Sequence, residues 1–181
     1  MSAPDETVAP VRPGILKPAP EGWQWFVVHS RARCEKKVAE FAQRQRLGCY
    51  LPLRVRLHRY GARERRFAAP LFAGYLFCMA DPQGRQALRQ NRYVANVLDV
   101  YDQAQLLHQL LQIETALQLG DLLEVLPFLE SGRRVRVLAG PLKGLEGIVS
   151  RVKARTRIVL NVDMIRESVA VEVDSAALGP V

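Results

Sequence analysis

Apolar and polar positions alternate along this chain with two different periods, and the change of period marks out its elements. Trp25 to His29 is a short aromatic and β-branched run with the composition of a buried strand. The spacing then lengthens to that of a helix running to about Leu47. Cys34, Val38, Phe41 and Ala42 share one face of it, while Arg33, Lys36, Lys37, Arg44 and Arg46 lie largely elsewhere. Ser30 is placed to cap this helix and Gly48 to end it in a left-handed conformation. Period two returns where Leu53, Val55 and Leu57 alternate with Arg54 and Arg56, which predicts paired strands from Cys49 to Phe77 around a tip at Tyr60 and Gly61. Pro70 to Phe77 turns sharply into an almost wholly apolar strand. Asp81-Pro82 has the cap-then-proline order of a helix start, predicting a short helix to near Asn91 and then a strand from Val94 to Val100.

A third helix follows. Asp102 and Gln105 have capping-box spacing, and Leu106, Leu110, Ile113 and Leu117 form a helical stripe ended by Gly120. Gly120 to Ser131 lacks a period, contains Pro127, and is predicted to be an irregular linker. Beyond Gly132 β-branched segments dominate, at 134–138, 146–152, 157–163 and 168–173. So many short strands in so little chain can cover both faces only by curling into a small barrel. Between the first two, Gly140-Pro141 fixes a turn, while Gly144 and Gly147 allow positive φ or a close backbone approach. Residues 1–22 hold five of the eleven prolines and little apolar periodicity, and are expected to form a disordered tail.

Composition narrows the class. Hydrophobic content of 49% suits a folded protein, and no run approaches the roughly 20 apolar residues that span a bilayer. The N-terminus lacks the basic-then-apolar order of a signal peptide. Cys34, Cys49 and Cys78 are odd in number and show no metal-ligand spacing, as expected of reduced thiols in a cytosol. The formal charge of +8 is spread unevenly. Residues 23–102 carry fifteen basic and six acidic side chains, 103–131 carry four acidic and no basic ones, and 132–181 carry nine basic and five acidic. Two basic modules separated by an acidic stretch suggest polyanion-facing surfaces; a solvated basic surface with no partner has the same charge pattern.

Catalytic chemistry has little to stand on. His29, His58 and His108 are isolated from cysteines and carboxylates at ligand spacing, and no glycine-rich phosphate loop follows a strand. The expectation is a binding protein without enzymatic activity, cofactor or metal.

The run Gly140-Pro141-Leu142-Lys143-Gly144-Leu145-Glu146-Gly147 resembles the KOW motif of NusG-type transcription factors and of some ribosomal proteins. Trp25-Phe26-Val27-Val28, Arg31 to Glu40, Pro70 to Phe77 and Asn91-Arg92-Tyr93-Val94 resemble, in that order, the N-terminal domain of the same factors. The Pro-Leu-Phe-x-Gly-Tyr-Leu-Phe run and the basic hairpin look closer to specialised paralogues such as RfaH and the UpxY-like regulators than to housekeeping NusG. The resemblance implies an α+β domain over 23–119, an antiparallel sheet flanked by helices. A linker at 120–131 and an SH3-like five-stranded barrel over 132–181 would follow. It also implies a monomeric cytoplasmic factor that binds bacterial RNA polymerase and suppresses pausing or termination. An RNA-binding or ribosome-associated KOW protein is the alternative.

Residue by residue, the resemblance places Phe72, Tyr75, Leu76 and Phe77 in an apolar patch for the clamp helices of the β′ subunit; alternation sets Tyr75 and Phe77 on one face and Leu76 on the other. As a strand, the same run could equally be core. Arg31, Arg33, Lys37 and Arg92 match positions facing the non-template DNA strand, with Phe41 and Ala32 departing from the polar and basic residues expected there. Arg54, Arg56, Arg59, Arg63, Arg65 and Arg66 would add a DNA backbone contact from the hairpin. A contact to the polymerase β gate loop would fall near Gln86 to Gln90. Met164 and Ile165 occupy the barrel loop that relatives present to a small-subunit ribosomal protein, though a barrel-core residue would read the same, and some relatives recruit a termination helicase instead.

Overall fold

The computed structural model describes residues 15–60, 63–118, 123–130, 132–152 and 155–181; the side chains of 56–60, 63–66, 151, 152 and 155 are outside that description. Strand β1 (Gln24–Ser30) leads to helix α1 (Glu35–Arg44), β2 (Gly48–Tyr50), the hairpin β3 (Leu53–Tyr60) and β4 (Arg63–Pro70), and β5 (Tyr75–Ala80). Helix α2 (Pro82–Gln90), β6 (Val94–Asp99) and helix α3 (Gln103–Gln118) complete the N-terminal part. Strands β7 (Glu124–Pro127), β8 (Arg134–Val137), β9 (Glu146–Val152), β10 (Arg155–Val162), β11 (Glu167–Glu172) and β12 (Leu178–Pro180) form the C-terminal part. The architecture is α+β, as the resemblance implies.

The N-terminal strands pair in the order β2-β5-β1-β6, all antiparallel, with β3 and β4 forming a separate two-stranded ribbon. Alternation along β1 and β5 sorts their side chains into two layers. Phe26, Val28, Leu76, Cys78 and Ala80 share a cluster with Val38 and Ala42 of α1 and Leu88 of α2. Trp25, Val27, Phe77 and Met79, with Tyr50 of β2, share the other with Leu106, Leu110, Ile113 and Ala116 of α3. Both faces are therefore covered by helices.

The C-terminal strands form one antiparallel sheet in the order β12-β8-β9-β10-β11-β7. Val135, Val137, Ile158, Leu160, Val162, Val169 and Val171 fill its inner face. Ile148, Val159 and Ala170 point the other way and are met by Leu126 and Leu129. Gly140 and Gly144 take the positive φ (82° and 93°) that the turn between β8 and β9 requires. Gly147 serves close approach instead: a Cβ there would lie 2.5 Å from both Ile158 Cγ2 and the Val159 carbonyl oxygen.

Several local expectations are corrected. Ser30 does not cap α1; it is the last residue of β1, and α1 starts five residues later with no side-chain cap. The left-handed residue after α1 is Arg46 (φ 58°), leaving Gly48 free to enter β2. Gly48 needs its missing side chain there, because a Cβ would come within 2.9 Å of Met79 Cβ. Residues 120–131 are not wholly irregular, since Glu124–Pro127 pairs with β11 and its Leu126 helps cover the sheet's second face. The proposed disordered tail also ends earlier: Leu16 is buried in the core, and the Trp25 indole N–H donates to the Lys17 carbonyl at 2.9 Å. The remainder of that tail, Gly61 of the hairpin tip and Gly120 lie outside the described residues. The two N-terminal caps on α2 and α3 match expectation, with Asp81 accepting from Gly84 N–H at 2.7 Å and Asp102 from Gln105 N–H at 2.8 Å.

Helix α3 joins the two parts. Its buried stripe belongs to a cluster that includes both the N-terminal sheet and the inner residues of the C-terminal sheet. Its polar side reaches the C-terminal part: Gln105 and Gln109 donate to Asp163, the latter at 2.8 Å, and Gln112 accepts from Glu146 N–H at 3.3 Å. The second half of the expected capping box is thus diverted, Gln105 turning to Asp163.

Candidate functional site

The C-terminal end of β1 gathers most of the candidate residues. His29 pairs directly with Tyr75 of β5 on one side and with Asn96 of β6 on the other. The two rings stack with centroids 4.9 Å apart and planes inclined by 20°. Tyr75 is half-buried and His29 exposed, so together they present an aromatic step at the surface. The turn before Tyr75 is fixed by Glu35, a buried carboxylate whose Oε1 accepts the Gly74 N–H at 2.7 Å. Gly74 itself has φ +84°, which a residue with a side chain would resist.

The neighbouring corner is basic. The Arg31 N–H donates to the Tyr93 carbonyl at 2.8 Å, bringing the β1–α1 turn against the start of β6. Lys37 Nζ lies 5.0 Å and Arg92 Cζ 4.7 Å from the centroid of the Tyr93 ring, and Arg92 Nη2 donates to the Tyr93 hydroxyl at 2.6 Å. The ring's negative face offsets the mutual repulsion of two cations, each such contact being worth about 0.5–1 kcal/mol when exposed. Arg31, Arg33, Lys37 and Arg92 are all exposed. Among the described residues no carboxylate pairs with any of the four. A cluster of unneutralised cations beside half-buried aromatic rings can bind a phosphodiester and stack a base. Tyr93 is the residue that sequence reasoning missed as a site; its position next to Arg92 was visible, but the approach of Lys37 depends on how α1 docks.

The expected apolar patch is corrected. Phe72, Leu76 and Phe77 are each 0% exposed. Phe77 meets Phe72 edge-on at 6.4 Å and tilts against Tyr50 at 6.3 Å, beneath α3, while Leu76 sits in the opposite layer. Burying side chains of this size stabilises the fold by about 1.5–3 kcal/mol each, which exceeds what a surface position contributes. Only Tyr75 of the four reaches the surface. Tyr50 is drawn into the same core, where burial, with Glu114 adding, pushes its phenol well above the ordinary value.

Ile165 is likewise corrected. Asp163–Ile165 is a 3₁₀ turn closed by Arg166 in the left-handed region (φ 55°), and it folds Ile165 into the core at 7% exposure with Met164 packed partly beside it. The hairpin arginines are less fully placed. Arg54 is half-buried, and the register pairs Arg56 with Phe67, Arg59 with Glu64, His58 with Arg65, Leu57 with Arg66 and Tyr60 with Arg63. The side chains of Arg56, Arg59, Arg63, Arg65 and Arg66 lie outside the described residues. Gln86 and Gln90 are exposed on α2. Among the described residues no group of three or more His, Cys, Asp or Glu could hold a metal, and no helix is long and apolar enough to cross a membrane.

The chain thus pairs an α+β sheet domain, carrying an aromatic and cationic corner, with a small antiparallel sheet joined to it through α3. The family model described as transcription termination factor NusG matches residues 23–114, and the chain belongs to that family. It is similar to a solved structure of NusG from Thermotoga maritima, described for its domain interaction, with 17% identity and a TM-score of 0.51. The match covers 93% of this chain and 99% of that one, a likeness of fold. No curated protein matches the sequence.

Proposed function

We propose that the protein is an elongation or antitermination factor that seats on the β′ clamp helices of bacterial RNA polymerase through Tyr75 and His29. Arg31, Arg33, Lys37 and Arg92, grouped around Tyr93, hold the non-template DNA strand beside that seat. The observation carrying this reading is the convergence of the two groups on one end of β1 in a NusG-family chain, where one surface can meet polymerase and DNA together. The basic hairpin extends the DNA contact, and the character is that of the specialised RfaH and UpxY paralogues. Ribosomal-protein or helicase recruitment falls to the barrel, where Met164 and Ile165 serve only if the 163–165 turn leaves α3.

Co-migration with core polymerase and a single-round pausing assay test the proposal. Tyr75→Ala is expected to weaken polymerase binding by about 2 kcal/mol, the scale of an interface anchor, without changing the fold. Unchanged affinity in a folded variant removes Tyr75 from the seat. Lys37→Ala with Arg92→Ala is expected to lower affinity for single-stranded DNA and to flatten its salt dependence by about one unit per lost phosphate contact. DNA binding that ignores salt overturns the cationic half of the proposal.

A further inference from the structure

Cys49 and Cys78 are direct partners in the β2–β5 ladder. Opposed residues of an antiparallel pair have Cα atoms about 4.5–5.5 Å apart, within the span of about 4.4–6.8 Å over which a disulfide closes. Both are free thiols, and both belong to the layer beneath α1. Their access to solvent differs. Cys49 is half-buried on β2, which is an edge strand, while Cys78 is 0% exposed on the inner strand. The Cys49 contact and burial hold the Cys78 thiol well above its ordinary value. A soluble reagent therefore meets Cys49 first, with a protonated partner waiting behind it. Cys34 stands outside the ladder, ahead of α1.

We propose that Cys49 and Cys78 form a thiol–disulfide site that a small-molecule disulfide oxidises to a cross-strand bond. The Cys49 thiolate attacks one sulfur of the reagent and expels the other half as a thiolate, leaving a mixed disulfide on Cys49. Cys78 then loses its proton and attacks the Cys49 sulfur, expelling the second half. The protein pair gives up two electrons and two protons, and the reagent leaves as two thiols. Because Cys78 ionises reluctantly, the second step is the slow one and the mixed disulfide accumulates. The bond staples edge strand β2 to β5, the strand that begins with Tyr75, and a thiol reductant reverses it. The inference is independent of the polymerase reading, since neither cysteine belongs to that surface.

The test treats the full chain carrying Cys34→Ser with oxidised glutathione, quenches in acid and follows intact and peptide masses. A glutathione adduct on Cys49 is expected first, giving way to a species without glutathione in which residues 49 and 78 share one cross-linked peptide. Dithiothreitol restores the starting mass. Cys78→Ser is expected to stop at the adduct. In Cys49→Ser, with the fold checked by circular dichroism, labelling of Cys78 under native conditions is expected to be at least about tenfold slower than labelling of Cys49 in the Cys78→Ser chain, as for an inaccessible, protonated thiol. An adduct that persists with Cys78 free, or a cross-link formed only in denaturant, overturns the proposal.

Discussion

The two halves of the molecule cover an antiparallel sheet in different ways. The N-terminal sheet is sandwiched between helices, α1 and α2 on one face and α3 on the other. The C-terminal sheet turns one face inward on its own valines and isoleucines, and shields the other with the short strand β7 and Leu129. A helix-covered sheet leaves its strand ends and turns free, and there the N-terminal half displays His29, Tyr75 and Tyr93. A barrel sheet has little to spare, and its turn Asp163–Ile165 is packed inward and held by α3. The candidate binding chemistry follows from that difference in how faces are hidden.

The comparison is most severely tested at the element both halves share. Leu110 is 0% exposed in the cluster that includes both sheets, so Leu110→Ala should destabilise by about 2–5 kcal/mol. Circular dichroism melts should show both halves shifted; loss confined to one half would break the view of α3 as common property. Gly147→Ala should cost about 1–3 kcal/mol by overpacking, because one of the two atoms in its way is a backbone oxygen. Here denaturant unfolding followed at Trp25 should barely change. Asp163→Ala removes the acceptor of Gln105 and Gln109, and should cost about 1 kcal/mol. Amide exchange should rise in residues 163–166 while the N-terminal sheet stays protected. Smallest is Glu167, whose carboxyl is raised by burial and has one oxygen without a partner. A carboxyl raised on folding favours the native state at low pH and loses that contribution as pH rises past its unfolded value. Glu167→Gln should therefore gain less than about 1 kcal/mol at neutral pH and nothing in acid, a difference thermal melts at the two pH values can read.

Much of the fold was legible because it is decided locally. Asp81-Pro82 starts a helix wherever it stands, and the glycines at 140 and 144 permit a turn that few other residues allow. The errors came where distant chain decides. Tyr75, Leu76 and Phe77 alternate as read, but alternation cannot say that α3 will cover the second face and turn an apparent patch into core. Ile165 is hidden by the same helix and a left-handed Arg166. Glu124–Pro127 looked irregular because four residues cannot establish a period, and β11 supplied the pairing. At the candidate site the charges were legible and the arrangement was not, since Lys37 and Arg92 are brought to one ring only by tertiary packing.

The indole of Trp25 has a practical lesson. Its N–H is satisfied by the main chain at Lys17, and Leu16 closes the same region. A gene fragment trimmed to begin where the family likeness begins, at residue 23, would strip the lid from a tryptophan and strand its donor in oil. Shortened versions of this domain should keep the segment from Ile15 onward if they are to crystallise or bind as the whole chain does.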